Sequence, residues 1–346
     1  MARAEIGGPD MRLTDLFGKV RPEDLEPSGL PELKQVLTQF TGVPMEHVSI
    51  TCGGSMALTV VLKTLRIRSE ANLVLCPRPH FPGYPSLAAL EGFSTGYFDL
   101  DPHMDWRPDI AALERQISEV RPAAVILNSP HNPTGSVLPN AYLKHILRAA
   151  ESAGTMVVLD EVFAGIVYDG KEPESPSQHP CLIRVGSFNK RFPMMADSRL
   201  GYFLAEPGFL RDASLIHRTL AIGAGIEVQR RATELLHNEP SHIIRKVCAE
   251  LQEQRDEAIN MLRSSGLFDL HTPEGGLFLW LRLPDDWEPF AFRDAVWESL
   301  GFWCAAGPRF GCETESRVRL RFALPQELLR KQCTALARFA AQWRTR

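Results

Sequence analysis

The stretch CLIRVGSFNKRFPMMADSRLGY, residues 181–202, decides how the rest of this chain is interpreted. It opens with a short apolar run typical of a buried strand, and Lys190 follows that run directly. Loops that leave the carboxyl ends of strands in α/β sheets are where ligands bind, so Lys190 is a candidate site residue. The alternative is an ordinary solvated lysine, and the residues elsewhere in the chain distinguish these two interpretations.

Similar apolar runs alternate with amphipathic helical stretches through the middle of the chain. The runs are ANLVLCP (71–77), AAVILNSP (123–130) and GTMVVLDE (154–161), and the helical stretches include SMALTVVLKTL (55–65) and LKHILRAAESAG (143–154). Such alternation is typical of an α/β domain with a mostly parallel sheet. The sequence therefore predicts an α/β fold with three strand ends meeting near Lys190.

The pattern changes in the last third of the chain. A long charged helix is followed by two short strand-like runs and a closing amphipathic helix: SHIIRKVCAELQEQRDEAINMLRSSG (241–266), GGLFLWLRLP (275–284), RVRLRFAL (317–324) and the segment from Pro325. This pattern predicts a small α+β domain.

A chain of 346 residues with 44% apolar content is too long for one compact core. We expect a large domain over residues 36–235, and a small domain made of residues 1–35 and 236–346.

Composition excludes several classes of partner and site. The net charge of −4 comes from interspersed acids and bases, so neither nucleic acid nor a membrane surface is an expected partner. The beginning of the chain carries no apolar targeting segment, which favours a cytoplasmic protein. The seven cysteines form no CxxC pair, no HExxH occurs, and GAGIEV (223–228) lacks the third glycine of a dinucleotide motif. We expect no metal and a small-molecule partner.

Two polar residues follow other strand candidates. Asp160 ends the run GTMVVLD, where a buried carboxylate needs a cationic partner such as a protonated ring nitrogen; the alternative is a helix N-cap. Asn132 lies in NSPHNPTG and is either a turn residue or a hydrogen-bond donor to a bound ligand. Either assignment is open for each residue taken alone.

An anion site is predicted at a helix start. Gly54 and Ser55 lead into a helix at Met56, so free backbone N–H groups and the Ser55 hydroxyl would face a phosphate; an ordinary N-cap is the alternative. Ser187 and Arg199, on either side of Lys190, would supply a hydroxyl and a guanidinium to the same anion.

Three further groups complete the candidate list. Phe81 is either a stacking partner for an aromatic ligand or a buried loop residue. Arg317, Arg319 and Arg321 alternate with apolar residues, so they share one face of a strand, and such a face is usually solvated. The other interpretation is that one of them, Arg319, holds a substrate carboxylate. Candidates for the pocket rim, each more simply a solvated helix residue, are His217, Arg218, Glu227, Gln229 and Arg230.

Together CGGSMAL, NPTG, DEVF, SFNK and RVRLRF resemble the fold-type I pyridoxal-phosphate enzymes of the class I/II aminotransferase family, including its histidinol-phosphate aminotransferase-like branch. The resemblance implies that Lys190 carries pyridoxal 5'-phosphate as an aldimine and then moves the substrate α-proton. It also implies that Asp160 pairs with the pyridine nitrogen, that Arg319 binds the α-carboxylate, and that the protein is a homodimer. The remaining cofactor contacts implied by the resemblance are Gly54, Ser55, Met56, Phe81, Asn132, Phe163, Ser187 and Arg199.

The chain departs from the family pattern in three places. Phe163 stands where a tyrosine is common, and Asp24 stands where a tyrosine usually reaches the neighbouring subunit's phosphate. Arg199 follows Lys190 by nine residues where eight is usual.

The function expected from the resemblance is transfer of an amino group from an L-amino acid to a 2-oxo acid. The alternative, motivated by Phe163 and Asp24, is a pyridoxal-phosphate enzyme that does not transaminate: a decarboxylase, an eliminating lyase or a cyclase. A regulator that keeps the fold without turnover is disfavoured, because the sequence offers no basic helix for a DNA-binding domain.

Overall fold

In a computed structural model of the chain, residues 26–171, 176–313 and 315–343 are described, and Asp24 lies outside them. Two β-sheets, one of eight strands and one of four, hold the molecule together. The predicted α/β architecture with a smaller α+β part is confirmed.

The large sheet follows the apolar runs of the sequence. Its strands are β1 (Val48–Thr51), β2 (Leu73–Arg78), β3 (Ser94–Asp101), β4 (Arg107–Pro108), β5 (Ala124–Asn128), β6 (Met156–Asp160), β7 (Leu182–Ser187) and β8 (Gly201–Leu204). They lie in the order β1-β8-β7-β6-β5-β2-β3-β4, with β3, β2, β5, β6 and β7 parallel to one another. The carboxyl ends of β5, β6 and β7 therefore lie side by side.

Helices cover both faces of this sheet, which is why its central strands are apolar along their whole length. On one face lie α2 (Gly54–Arg68), α3 (Gly83–Leu90) and α7 (Pro207–Ala221), and on the other lie α4 (Ile110–Val120) and α5 (Asn140–Ala153). A short helix, α6 (Phe188–Arg191), follows β7 directly and carries Lys190.

The antiparallel edge of the sheet is covered by α1 (Pro31–Thr41) and α8 (Ile226–His237). Leu30 and Leu33 pack there in one apolar cluster with Val48 and Leu204. The domain boundaries at residues 35 and 235 stay a prediction, and residues 1–25 of that division lie outside the described part of the chain.

The small sheet follows the long helix α9 (Pro240–Arg263). Its strands β9 (Asp269–Leu270), β10 (Phe278–Arg282), β11 (Ala305–Ala306) and β12 (Arg317–Arg321) are antiparallel, and they pack with α9, α10 (Pro289–Leu300) and α11 (Gln326–Trp343).

The alternation of β10 and β12 gives the small sheet two different faces. Leu279, Leu281 and Leu320 belong to its own core, whereas Trp280, paired with Arg319, is buried in a cluster with the strands of the large sheet. The face that carries Arg319 thus points toward the large sheet. Arg319 is therefore partly buried between the two sheets and is not a solvated arginine.

Candidate active site

A cavity of about 310 Å³, here called the Lys190 cavity, lies at the carboxyl ends of β5, β6 and β7. It brings together every residue predicted to contact cofactor or carboxylate except Met56, whose side chain packs against the apolar core. The predicted residues that line it are Gly54, Ser55, Phe81, Asn132, Asp160, Phe163, Ser187, Lys190, Arg199 and Arg319.

Lys190 presents an amine without a protein partner. Its side chain is exposed, and it has no hydrogen bond or ion pair with the described residues. Partial burial lowers the pKa of Lys190, and the positive charges of Arg321, Arg199 and Arg319 lower it further. Each of these effects shifts the protonation equilibrium of Lys190 toward the neutral, nucleophilic amine.

Asp160 is a buried carboxylate that has hydrogen bonds but no cationic partner among the described residues. It is 3% exposed, and its Oδ2 accepts a 2.6 Å bond from the Tyr84 hydroxyl while its Oδ1 accepts one of 3.1 Å from the Val162 N–H. Burial raises the pKa of Asp160 to about 6, although the bonds from Tyr84 and Val162 oppose that rise. Turns rather than a helix follow Asp160, so it is not a helix N-cap. A cation in the cavity would stabilise this carboxylate.

Asn132 is held by the chain and by Arg319. Its N–H donates to Asn128 Oδ1 at 2.8 Å, and its own Oδ1 accepts a 2.8 Å bond from Arg319 Nη1. With its oxygen engaged, the Asn132 side chain keeps its N–H₂ group as a donor for a ligand.

Arg319 lies between two aromatic rings. Its guanidinium carbon is 3.9 Å from the ring centroid of Phe278 and 4.9 Å from that of Phe310. No carboxylate pairs with it among the residues described. Burial, with a smaller effect of Arg309, lowers the pKa of Arg319 to about 10, so it remains charged at neutral pH. It is a preorganised cation without an anion.

An anion-binding corner lies at the start of α2. The first-turn N–H groups of Gly54, Ser55 and Met56 have no partner within the helix. Small residues let this turn approach β7 and β8: a Cβ on Gly54 would lie 3.0 Å from Val162 Cγ1, and one on Gly201 only 2.5 Å from the Gly53 carbonyl carbon.

Aromatic rings form the apolar part of the cavity. Phe81 lies edge-on to Tyr84, with 5.4 Å between ring centroids, and a Cβ on Gly83 would come within 2.4 Å of the Phe81 ring. Phe163 is buried and meets Phe278 edge-on at 5.9 Å. Glycine at position 83 is thus required for the position of Phe81.

The sequence did not predict several of the residues that line the cavity, among them Tyr84, Asn128 and Asn189, whose polar side chains bear on the chemistry. Asn128 donates to the Asp160 carbonyl at 2.9 Å, and Asn189 accepts a bond from the Ser187 hydroxyl. Two features of the sequence could have indicated these residues: Tyr84 lies three positions after Phe81, and Asn128 is the polar residue that ends the apolar run AAVILN.

The predicted rim residues do not reach this cavity within the chain. Buried His217 bonds the Pro27 carbonyl through Nδ1, and buried Gln229 accepts from the Leu30 N–H at 2.7 Å. Glu227 and Arg230 form an exposed pair one helical turn apart. Arg218 is exposed on α7.

A second cavity of about 570 Å³, here called the Trp303 chamber, adjoins the first and shares Asn189, Lys190, Phe278 and Arg319 with it. Apolar walls come from α9, the small sheet and the loop after α6. The other lining residues are Pro193, Ala196, Val247, Leu251, Leu277, Trp303, Ala305, Arg321 and Ala323. The described lining of the chamber thus contains two arginines, the Lys190 amine and no carboxylate.

Neither a metal-binding cluster nor a membrane-spanning helix occurs among the described residues. Among the ranges 26–171, 176–313 and 315–343, no cluster of His, Cys, Asp and Glu side chains is arranged to hold a metal ion. The helices in those same ranges are all too short or too polar to span a membrane.

Comparison with known proteins gives the site its context. Residues 22–336 match the family model for aminotransferase class I and II. Nicotianamine aminotransferase A of Hordeum vulgare is 26% identical over 273 residues, which cover 74% of this chain and 58% of that protein. A probable aspartate aminotransferase of Methanocaldococcus jannaschii is 26% identical over 318 residues, covering 88% of this chain and 82% of that one. The chain spans 58% of the length of this Hordeum vulgare protein, 49% of nicotianamine aminotransferase B from the same species, and 65% of a probable aminotransferase of Arabidopsis thaliana.

The fold is shared with solved aminotransferase structures. A tetra mutant of Thermus thermophilus aspartate aminotransferase superimposes with a TM-score of 0.83 at 23% identity, covering 94% of this chain and 90% of that one. At that identity the likeness concerns the fold. The family match over nearly the whole chain and the motifs gathered around Lys190 agree, and the chain belongs to the aminotransferase class I and II family.

Proposed function

We propose that this chain is a pyridoxal-phosphate-dependent aminotransferase that moves an amino group from an L-amino acid to a 2-oxo acid. One observation carries the proposal. A free amine, a buried carboxylate without a cation and a charged arginine without an anion line a single cavity: Lys190, Asp160 and Arg319.

The cavity fits pyridoxal 5'-phosphate group by group. Asp160 would pair with the protonated ring nitrogen, and the free N–H₂ group of Asn132 would donate to the ring hydroxyl. Phe81 supplies an aromatic face. The phosphate belongs at the start of α2, where the N–H groups of Gly54, Ser55 and Met56 are unpaired, with Ser187 and Arg199 beside them.

When bound, the cofactor supplies an electron-accepting ring next to the substrate α-carbon. The chain's own residues do the rest. Arg319, fixed by Asn132 and two aromatic rings, holds the α-carboxylate and so orients the α-hydrogen. Lys190, with its lowered pKa, is the base that takes this proton from the α-carbon and would then donate it, as the ammonium, to the cofactor carbon that bears the amino nitrogen. Asp160 stays ionised beside the ring and preserves its positive charge.

The Trp303 chamber supports a preference for acidic substrates. Arg319 is assigned to the α-carboxylate, which leaves Arg321 as a second cation on the same strand face and near Lys190. A substrate with a second negative group would pair with it, while Leu251 and Trp303 contact the carbon chain. Acidic L-amino acids and their 2-oxo acids fit this description.

One observation favours the alternative of a non-transaminating enzyme. Phe163, packed against Phe278, gives the ring no hydrogen bond where tyrosine is common. The effect of Asp24 lies outside the described residues. A homodimer, a cytoplasmic location and kinship with the histidinol-phosphate branch also remain parts of the proposal.

The test follows the nitrogen atom. Purified protein with pyridoxal phosphate is incubated with ¹⁵N-glutamate and unlabelled 2-oxo acids, and ¹⁵N-labelled amino acids are measured by mass spectrometry. Transfer of the label to a second carbon skeleton is the expected result. The experiment is repeated with neutral amino acids as donors. If carbon dioxide or ammonia is released from every donor and no labelled amino acid forms, the chain is a non-transaminating enzyme instead.

A further inference from the structure

A third cavity lies directly behind the Lys190 cavity, and its volume is about 340 Å³. We call it the rear cavity. Three chain segments place consecutive residues in the two cavities: Asn128 and Ser129, Asp160 and Glu161, and Lys190 and Arg191. The remaining wall comes from α1, α5, β7, β8 and the start of α9. The rear cavity is therefore a separate space built on the same strand ends.

Arg191 is the unexplained group in this cavity. It is 6% exposed, its Nε is buried without a hydrogen-bond partner, and no carboxylate pairs with it among the described residues. Its guanidinium carbon lies 5.0 Å from the ring centroid of Phe40, which satisfies only one face of the cation. A buried, unpaired guanidinium is costly unless something anionic accompanies it.

The acid that lines the cavity does not meet this need. Glu161 is already engaged by Arg184, with 2.7 Å between Oε2 and Nε, and both side chains are at least nine-tenths buried. This pair is electrically neutral as a unit. Among the described side chains that line the cavity, the remaining charged groups are those of Arg191 and of Arg245 on α9, and both are positive.

The start of α9 adds a second attraction for an anion. Ser241, Ile244 and Arg245 line the cavity, so the first turns of this 24-residue helix face it. Glu239, the N-cap residue, makes no side-chain capping bond and does not line the cavity. Pro240 has no N–H, and the N–H groups of His242 and Ile243 donate to the Glu239 carbonyl. The first turn therefore offers an anion the Ser241 N–H, which has no hydrogen bond with the described residues, and the positive end of the helix.

The walls indicate the rest of the ligand. Phe40, Leu138, Leu143 and Ile244 are apolar, and the volume is at the lower end of the range of small-molecule sites. We infer that the rear cavity binds a small organic anion, a carboxylate or phosphate group on an apolar body, held by Arg191 and the start of α9. This inference does not depend on the proposed function.

Calorimetric titration of the full chain, with its own cofactor bound, tests the site. Phenyl phosphate and benzoate are the probes, because each joins an anion to an apolar ring and the pair separates the two anion chemistries. At least one is expected to bind at the rear cavity, in addition to any binding at Arg319 in the Lys190 cavity. Arg191→Met should weaken that binding at least about tenfold, the size of a lost charge-assisted bond.

Two further variants keep the outcome readable. Arg319→Met removes the carboxylate site of the Lys190 cavity but does not alter the lining of the rear cavity, so binding at the rear cavity should persist in this variant. Arg245→Gln, an exposed change, should weaken that remaining binding severalfold. If Arg191→Met fails to fold, Arg191→Lys and Arg245→Gln decide instead. No binding of either probe at millimolar concentration would overturn the inference, as would binding that depends on Arg319 and not on Arg191 or Arg245.

Discussion

The Lys190 cavity and the Trp303 chamber share a wall and differ in construction. In the first, strand ends of the large sheet and the start of α2 place one polar group for each part of a cofactor. In the second, α9 and the small sheet supply apolar walls and the cation Arg321. Under the proposed function, the large sheet would provide the chemistry and the small sheet the selection of substrate. Arg319 lines both cavities and would fix the substrate relative to Lys190.

The largest effect among the following substitutions is expected for Asp160→Asn. Loss of the carboxylate removes the charge that keeps the ring nitrogen protonated, so kcat/KM should fall about 10²- to 10³-fold. Steady-state kinetics on the cofactor-saturated variant measures this. Asp99→Asn, an exposed carboxylate paired with Arg78, is the matched control and should behave as wild type. Activity within threefold of wild type in Asp160→Asn would assign the chemistry to another group.

Arg319→Met tests the residue shared by the two cavities. Removing the guanidinium should weaken binding of every carboxylate substrate by about 10- to 100-fold, the range for a lost charge pair in a shielded site. The inhibition constant of a simple monocarboxylate reports this without turnover. Equal inhibition of variant and wild type would place the carboxylate elsewhere.

Arg321→Met separates the chamber from the cavity. The ratio of kcat/KM for acidic over neutral amino acids should fall about tenfold, since one charge-assisted bond contributes about 1.5–3 kcal/mol. Neutral substrates should be almost unaffected. Arg282→Met removes another exposed arginine of the same sheet and serves as control. An unchanged ratio would refute acidic selectivity while leaving transamination untouched.

The smallest effect is expected for Tyr84→Phe. The Tyr84 hydrogen bond lowers the pKa of Asp160, so its removal raises that pKa above its value of about 6 in the cofactor-free protein. As the pH is lowered, the carboxylate of Asp160 is therefore protonated at a higher pH in the variant than in wild type. Cofactor affinity, measured by titrating the apoprotein at several pH values, should begin to drop up to about one pH unit earlier than in wild type. Tyr97→Phe is the control, and a coincident pH profile for Tyr84→Phe and wild type would contradict this role of Tyr84.

Sequence patterns predicted the Lys190 cavity better than the Trp303 chamber, for a physical reason. Asp160, Asn132 and Lys190 each end an apolar run, and parallel strands bring such ends together. The bond between Tyr84 and Asp160 joins residues 76 positions apart, and no local pattern announces it.

The sequence did not predict the Trp303 chamber or the rear cavity, for a similar reason. Trp303 and Leu251 lie on elements whose relative placement depends on packing of the two sheets. Arg191 follows Lys190 directly in the sequence, but its side chain lines a different cavity. The rim residues His217 and Gln229 carry polar atoms that bond backbone groups in the core.

The most direct test of the central claim is to locate the cofactor on the chain. The protein is loaded with pyridoxal phosphate, reduced with borohydride, digested and analysed by peptide mass spectrometry. We predict one cofactor per chain, attached at Lys190. In Lys190→Ala we predict no attachment and a loss of activity of about 10⁴-fold, with cofactor still bound noncovalently through Asp160 and the start of α2. Attachment at another lysine, or full activity of Lys190→Ala, would contradict the account.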